Sequence, residues 1–403
     1  MNPQHTATKR VSAIKYAIRD VVKFAKDLEA KGNAITYLNI GDPVKFDFDT
    51  PKHLKSAVCK AVKEGENWYG ASEGIPELRE AICRKEKRSN GIDLVPEDIV
   101  VTAGVSEGIL LTMAALIERG DELLVPGPTY PPYTSYSKFF GGNPISYRTI
   151  EEEGWQPDIA DIESKISTKT KGIVLINPNN PCGAVYDPKT VAEITELADQ
   201  NDLIVLSDEI YDRIVYEEQF SSTARVAKDS SIIGLNGFSK VYLATGWRVG
   251  YLYFHDLDGK LDEIKEGVKK QARIRLCANT PIQKAAIVAL NGPQEHIQQM
   301  VTKLRKRRDY AWKRLNQIEG ITCTKPKGAF YLFPKVHGVG QQWKTDLEFV
   351  LEVLRETGVL FVHGSGFCET YGARHFRSVF LPSIKTLAHA FDLLEQFMIA
   401  KKS

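Results

Sequence analysis

The chain of 403 residues contains no run of about 18 apolar residues, and its first ten residues, Met-Asn-Pro-Gln-His-Thr-Ala-Thr-Lys-Arg, hold no apolar leader segment. Membrane insertion and export are therefore not expected; a cytoplasmic location is. Cysteine is sparse and dispersed: Cys59, Cys83, Cys182, Cys277, Cys323 and Cys368 form no CxxC pair and have no His-rich neighbour. That weighs against a zinc site and a disulfide framework, so reduced thiols and no metal are expected. Charge of one sign is lacking too, because 53 Lys and Arg against 51 Asp and Glu leave a net +2. No nucleic-acid partner follows from such a balance. The GxGxxG of a dinucleotide fold is absent, which weighs against a nicotinamide dehydrogenase. Internal repeats and low-complexity segments are missing as well.

What remains is ordinary globular composition, 43 % hydrophobic and 26 % charged, at a length that fits one large domain and a smaller one. Short β-branched or apolar runs at 99–102, 123–126, 172–176, 203–206 and 232–235 alternate with helical spacing at 109–117 and 189–200. This alternation predicts an α/β fold with a mostly parallel sheet, which places ligands at strand ends. Further helices are predicted at 20–31, at about 51–64 with Thr50 as N-cap and Pro51 in the first turn, and at 261–275, 281–290 and 295–315. An aromatic strand at 328–334 and apolar strands at 359–362 and 376–381 suggest a small α+β domain near the C-terminus, joined by the N-terminal helix.

The chemistry-bearing residues fall where these strands end. Lys240 follows an apolar run (Ile232, Ile233, Leu235) and precedes Arg248, between Gly246 and Gly250. A lone lysine is ordinarily a solvated charge, but one just past a buried strand can lose solvent, which lowers its pKa. That is what a Schiff-base amine needs. Asp208 leaves a buried strand, where a carboxylate is costly unless it caps a helix or meets a cation, and Tyr211 lies three residues on, about one helical turn. After the strand at 99–102, Ala103-Gly104-Val105 opens a helix, offering N–H groups to an anion or forming an ordinary βα turn. Tyr130 and Tyr133 sit among prolines in a stiff ledge suited to stacking a flat ring. Asn180 lies in Asn177-Pro178-Asn179-Asn180-Pro181-Cys182-Gly183, a stiff turn exposing side-chain amides. Arg377 interrupts an apolar strand, and an inward arginine needs an anion, a carboxylate fitting its planar fork.

Taken in order and spacing over about residues 13–397, these motifs resemble class I aminotransferases dependent on pyridoxal 5'-phosphate, of fold type I. The resemblance implies that Lys240 holds the cofactor covalently and moves the proton. Asp208 then keeps the pyridine nitrogen protonated, and Tyr211 and Asn180 bond its phenolic oxygen. Tyr130 stacks on the ring. Ser239, Arg248 and the backbone of Ala103, Gly104 and Val105 hold the phosphate, joined by Tyr69 reaching across a homodimer interface. Arg377, Asn180 and Gly41 bind the substrate carboxylate, Gly41 because it carries no side chain. Two departures stand out: Gly237 where many relatives have serine, and Cys182 where threonine is usual. The implied domains are an N-terminal arm and helix (1–48), a large cofactor-binding domain (49–292) and a C-terminal small domain (293–403).

The segments around Tyr16-Ala17-Ile18-Arg19, residues 41–46, Arg275 and residues 363–367 look like archaeal-type alanine aminotransferases. That implies transfer from L-alanine to 2-oxoglutarate, with Tyr16 and Arg19 on the substrate side and Arg19 meeting the second carboxylate. Aspartate or aromatic aminotransferases of the same fold are the alternative, and a lyase using the same lysine a further one.

Overall fold

In the computed structural model, residues 6–401 are described apart from 13, 15, 218, 228 and 229. Residues 1–5 of the segment expected to hold no leader, and Ala13, where the resemblance begins, lie outside the described residues. Eight strands form one sheet: β1 (Ile99–Thr102), β2 (Glu122–Gly127), β3 (Asn143–Ile150), β4 (Gln156–Pro157), β5 (Thr170–Ile176), β6 (Ile204–Asp208), β7 (Ile232–Gly237) and β8 (Gly250–His255). Their order across the sheet is β1-β8-β7-β6-β5-β2-β3-β4. The run β7-β6-β5-β2-β3 is parallel throughout, whereas β8 is antiparallel to both neighbours and β4 is antiparallel to β3.

Such strands read as near-continuous apolar runs because both faces are covered. Val100, Val174, Leu206 and Ile233 pack on one side with the helices Val105–Leu116 and Asp262–Arg275. On the other side Val101, Ile173, Val205 and Ile232 belong to the larger apolar core, to which the helix Pro188–Gln200 contributes Val191, Ile194 and Ala198. Each such side chain contributes about 2 kcal/mol by leaving water. Among the described residues no helix is long and apolar enough to cross a membrane.

The strand directions decide what meets at one edge. Thr102, Gly127, Ile176, Asp208 and Gly237 all lie at the carboxyl ends of parallel-running strands. Because β8 runs the other way, its first residue, Gly250, pairs with Gly237 and Thr102 at that same edge. Arg248, which precedes its strand, is thereby brought beside residues that follow theirs.

Away from the sheet, the helices Glu295–Leu315, Asp346–Thr357 and Ile384–Ala400 pack around a three-stranded sheet containing Phe376–Val379. The N-terminal helix Ala17–Glu29 joins them, and Thr36–Tyr37 pairs in parallel with Val359–Leu360.

Three local expectations need correction. Pro51, not Thr50, holds the cap position of the helix Lys52–Lys63, and the buried Thr50 hydroxyl instead donates to Leu243 O at 2.5 Å. No helix follows Asp208; Tyr211 is carried by turns. The aromatic segment forms only the short strand Tyr331–Leu332, paired with Phe376–Val379, because Gly328 at its start turns instead to an isolated bridge with Val215.

Candidate active site

Lys240 lies just beyond β7, and its Nζ donates to Gly41 O at 2.7 Å. Burial lowers its pKa to about 8, with Arg377 and Arg248 adding to the effect and Asp42 opposing it. At neutral pH an appreciable fraction of the amine is therefore unprotonated. Asp208 is buried at the end of β6. Its Oδ2 accepts from Tyr133 OH at 2.9 Å and its Oδ1 from Ile210 N at 3.2 Å. Burial raises its pKa to about 6 against those two hydrogen bonds. A carboxylate in that position is stabilised by a cationic nitrogen brought beside it.

Tyr211 OH lies 2.7 Å from Tyr331 OH. Tyr331 also explains a glycine: a Cβ on Gly41 would lie 2.2 Å from its hydroxyl oxygen and 2.9 Å from the Phe330 ring. The space a side chain would need at residue 41 belongs to aromatic residues of this chain. Arg377 is buried, donating from Nη1 to Asn180 Oδ1 at 2.7 Å and from Nη2 to Asn39 O at 2.6 Å. Its Nε is buried without a partner among the described residues. An orphaned donor on a buried guanidinium is costly until an acceptor reaches it.

Arg248, at φ +53°, donates from Nη1 to Thr245 O at 2.9 Å and to Ser239 Oγ at 3.5 Å, and from Nη2 to Ala103 O at 3.3 Å. A Cβ on Gly104 would fall 2.4 Å from Arg248 Nη2, and one on Gly250 2.9 Å from Val105 N. These two glycines let the helix Val105–Leu116 begin against the guanidinium. The first-turn N–H groups of a helix have no acceptor within it and form its positive end. Val105 and Ser106 face the cavity, whereas Ala103 N donates to Glu107 Oε2 at 2.6 Å. Of the expected backbone cradle, the Ala103 amide is thus already engaged within the chain, and Gly104 acts by its lack of a side chain.

The two departures from the family pattern have local explanations. A Cβ at Gly237 would lie 2.9 Å from the α-carbon of Gly250, its cross-strand partner, so this packing has no room for serine. Cys182 Sγ donates to Asn179 Oδ1 at 3.0 Å, the kind of bond a threonine hydroxyl makes, and burial pushes the thiol pKa up to about 12.

Lys240, Asp208, Tyr211, Asn180, Arg377, Arg248, Ser239 and Tyr130 border one cavity of about 500 Å³, together with Gly41, Tyr16 and Arg19. Tyr16 OH is 3.3 Å from Tyr130 OH. Arg19, exposed at its head, also borders a second cavity of about 540 Å³. Tyr69 does not border the cavity of its own chain and is 80 % exposed. Sequence reasoning missed Tyr331 and Thr245, and it gave Tyr133 no role toward Asp208. The regular step from Tyr130 to Tyr133 at the start of a helix was the available signal for the last.

The cavity is complementary to a charged, flat group. One region offers Arg248 and a helix N-terminus to an anion, another the buried Asp208 carboxylate to a cation, and an amine of lowered pKa borders the same cavity. With the sheet behind it, this is the arrangement of a fold type I pyridoxal-phosphate enzyme. The chain belongs to the aminotransferases of class I and II, whose family model matches residues 34–392. A solved alanine aminotransferase from Pyrococcus furiosus is 57 % identical, covers 98 % of this chain and 100 % of that one, and superposes with a TM-score of 0.96. The glutamate-pyruvate aminotransferase AlaA of Escherichia coli K12 is 38 % identical over 403 residues, 99 % of this chain and 98 % of that protein. A probable aspartate aminotransferase of Methanocaldococcus jannaschii is 38 % identical over 361 residues, 89 % of this chain and 92 % of that protein.

Proposed function

We propose that this protein is an alanine aminotransferase, converting L-alanine and 2-oxoglutarate to pyruvate and L-glutamate. The observation that carries the reading is Arg377, buried in the same cavity as Lys240 with one guanidinium nitrogen unpartnered. A carboxylate received there would fill the orphan position and set an amino acid beside the amine. The relatives named for alanine or glutamate-pyruvate transfer support the choice of substrates.

When bound, pyridoxal phosphate supplies an electrophilic carbon for the amino group and a ring that accepts the electron pair left when the Cα–H bond breaks. Lys240 would hold it covalently, Asp208 would face its ring nitrogen, and Arg248, Ser239 and the amides of Val105 and Ser106 its phosphate. Tyr211 and Asn180 would donate to its phenolic oxygen, and Tyr130 would pack on its ring. The free Lys240 amine takes the proton from Cα of alanine; in the second half it returns one to Cα of glutamate. Arg377 and Asn180 orient the substrate carboxylate so that the Cα proton meets that amine.

The exposed Tyr69, within the loop 67–75, supports a homodimer in which it completes the partner's phosphate site. The parallel pairing of residues 36–37 with 359–360 supports counting residues 1–48 with the small domain (293–403), against a large domain of 49–292. A cytoplasmic location is proposed on the sequence grounds given above.

The decisive test is absorbance of the holoenzyme before and after L-alanine and then 2-oxoglutarate. Alanine should bleach the lysine-bound cofactor band and the oxo acid restore it; bleaching by aspartate alone would transfer the assignment to aspartate. Arg19→Ala should raise the KM for 2-oxoglutarate roughly ten- to a hundredfold, the size of a lost charge-assisted hydrogen bond, and leave that for alanine within about threefold. An unchanged KM for 2-oxoglutarate would remove Arg19 from the site. Arg275 is then no substitute, since it does not border the cavity.

A further inference from the structure

Arg275 ends the helix Asp262–Arg275 and joins three other segments. Its Nη1 donates to Glu107 Oε2 at 2.6 Å, and its Nη2 to Ser72 O at 2.8 Å and Val101 O at 3.2 Å. Glu107 lies in the first turn of the helix Val105–Leu116, and the same Oε2 accepts from Ala103 N. Ser72 belongs to the loop bearing Trp68 and Tyr69, which is tied to the helix Thr280–Asn291 by Thr280 Oγ1 donating to Trp68 O at 2.8 Å and Ile75 N donating to Gln283 Oε1 at 2.9 Å. Both members of the Arg275–Glu107 pair are only 17 % exposed, so solvent screens the pair weakly. Large apolar side chains stand in water on the segments so joined: Trp68, Tyr69, Ile274 and Leu276.

Two physical demands meet here. An acidic residue in the first turn of a helix that receives a phosphate repels the ligand unless its charge is compensated. An exposed loop that must present an aromatic residue to a second subunit loses affinity for every conformation it wanders into. A guanidinium satisfies both, since its planar fork reaches a carboxylate and two carbonyls at once, which a lysine ammonium at the end of a flexible stem does not.

We propose that Arg275 is a positioning residue that couples the subunit-facing loop 67–75 to the cofactor phosphate cradle. It does so by neutralising Glu107 at the helix N-terminus while clamping the loop through Ser72 O. The proposal rests on the cofactor assignment made above. Occupancy of the phosphate site and pairing of subunits then reinforce one another through one side chain.

The test titrates cofactor-stripped, full-length protein with pyridoxal phosphate by fluorescence and measures subunit association by sedimentation. Arg275→Leu should weaken cofactor binding about tenfold or more and weaken subunit association with it. Adding Glu107→Gln should recover part of the cofactor affinity, because the uncompensated charge is gone, but not association, because the loop stays unclamped. Arg275→Lys should rescue neither fully. Glu107→Gln alone, which keeps an acceptor for Ala103 N, should tighten cofactor binding about threefold; it carries the test should the leucine variant not fold. Unchanged cofactor affinity in Glu107→Gln, or cofactor affinity and association both within twofold of wild type in a folded Arg275→Leu, would overturn the proposal. Failure of the wild-type protein to bind pyridoxal phosphate would instead remove the cofactor assignment beneath it.

Discussion

Asparagine in place of Asp208 is expected to stabilise the cofactor-free protein at neutral pH while lowering turnover of the holoenzyme at least about a hundredfold. Both effects come from the same burial. Folding raises the Asp208 pKa from 3.8 to about 6. The folded state therefore favours the protonated carboxyl, and this favourable contribution is complete below 3.8 and lost as pH rises through about 6. Above that the buried carboxylate, despite its bonds from Tyr133 and Ile210, costs the folded protein about 3 kcal/mol, a cost the asparagine does not carry. Unfolding of the two stripped proteins by denaturant across this pH range should show the gap widening and then levelling. Parallel pH profiles would contradict the assignment.

Lys240 is set against the fold in the complementary way. Its pKa is lowered from 10.5 to about 8, so stability present at alkaline pH is lost as pH falls through about 8. A group that pairs with Asp208 and takes the Lys240 amine covalently relieves both penalties at once. The stripped wild-type protein should accordingly gain more stability from pyridoxal phosphate than Asp208→Asn does. Activity is here held as strain in the ligand-free fold.

How much of this was legible before the structure differs residue by residue. Lys240, Asp208, Asn180 and Arg377 could be singled out because each breaks a local rule: a charge or amide just past or within an apolar strand, where burial demands a partner. The sheet was legible for the same reason, since strands covered on both faces read as continuous apolar runs. Tyr331 was not, because its role depends on the lack of a side chain at Gly41, some 290 positions earlier in the chain. The Ala103 amide was assigned to the phosphate because a strand-to-helix turn offers free donors; that Glu107 turns back to take one is a side-chain choice periodicity does not encode. Thr50 preceded a proline and so read as a cap, but a tertiary acceptor, Leu243 O, draws its hydroxyl away. Local pattern thus located the edge where the chemistry sits, and contacts between distant segments decided which atoms remain free there.

The residue least visible in sequence carries the second large effect. Lys85 stands in the run Arg84-Lys85-Glu86-Lys87-Arg88, which reads as a solvated helix face, yet its side chain is 6 % exposed. Its Nζ lies 2.6 Å from Asp212 Oδ2 and 3.0 Å from Glu86 Oε1, carboxylates 2 % and 1 % exposed. Asn236 Nδ2 donates to Asp212 Oδ2 at 2.9 Å, Asn90 Nδ2 to Glu86 Oε2 at 2.5 Å, and Tyr251 OH to Glu86 Oε1. Lys85→Met should cost about 3–5 kcal/mol, because two buried carboxylates lose the one ammonium that pairs with them among the described residues. Burial by itself would lower the Lys85 pKa, but Asp212 and Glu86 raise it above its ordinary value. The stability it contributes is thus fully present below its ordinary pKa of 10.5, so the deficit of the methionine variant should stay flat through the neutral range where the Asp208 gap changes. Adding Asp212→Asn should recover part of the loss, since one stranded charge disappears and Asn236 keeps an acceptor; a double variant as unstable as the sum of the singles would deny the coupling. Asp212 adjoins Tyr211, and Asn236 lies on β7 four residues before Lys240, so the network fixes both segments that deliver the reacting groups. Turnover per folded molecule should fall in Lys85→Met as well, through displacement of Tyr211 and Lys240.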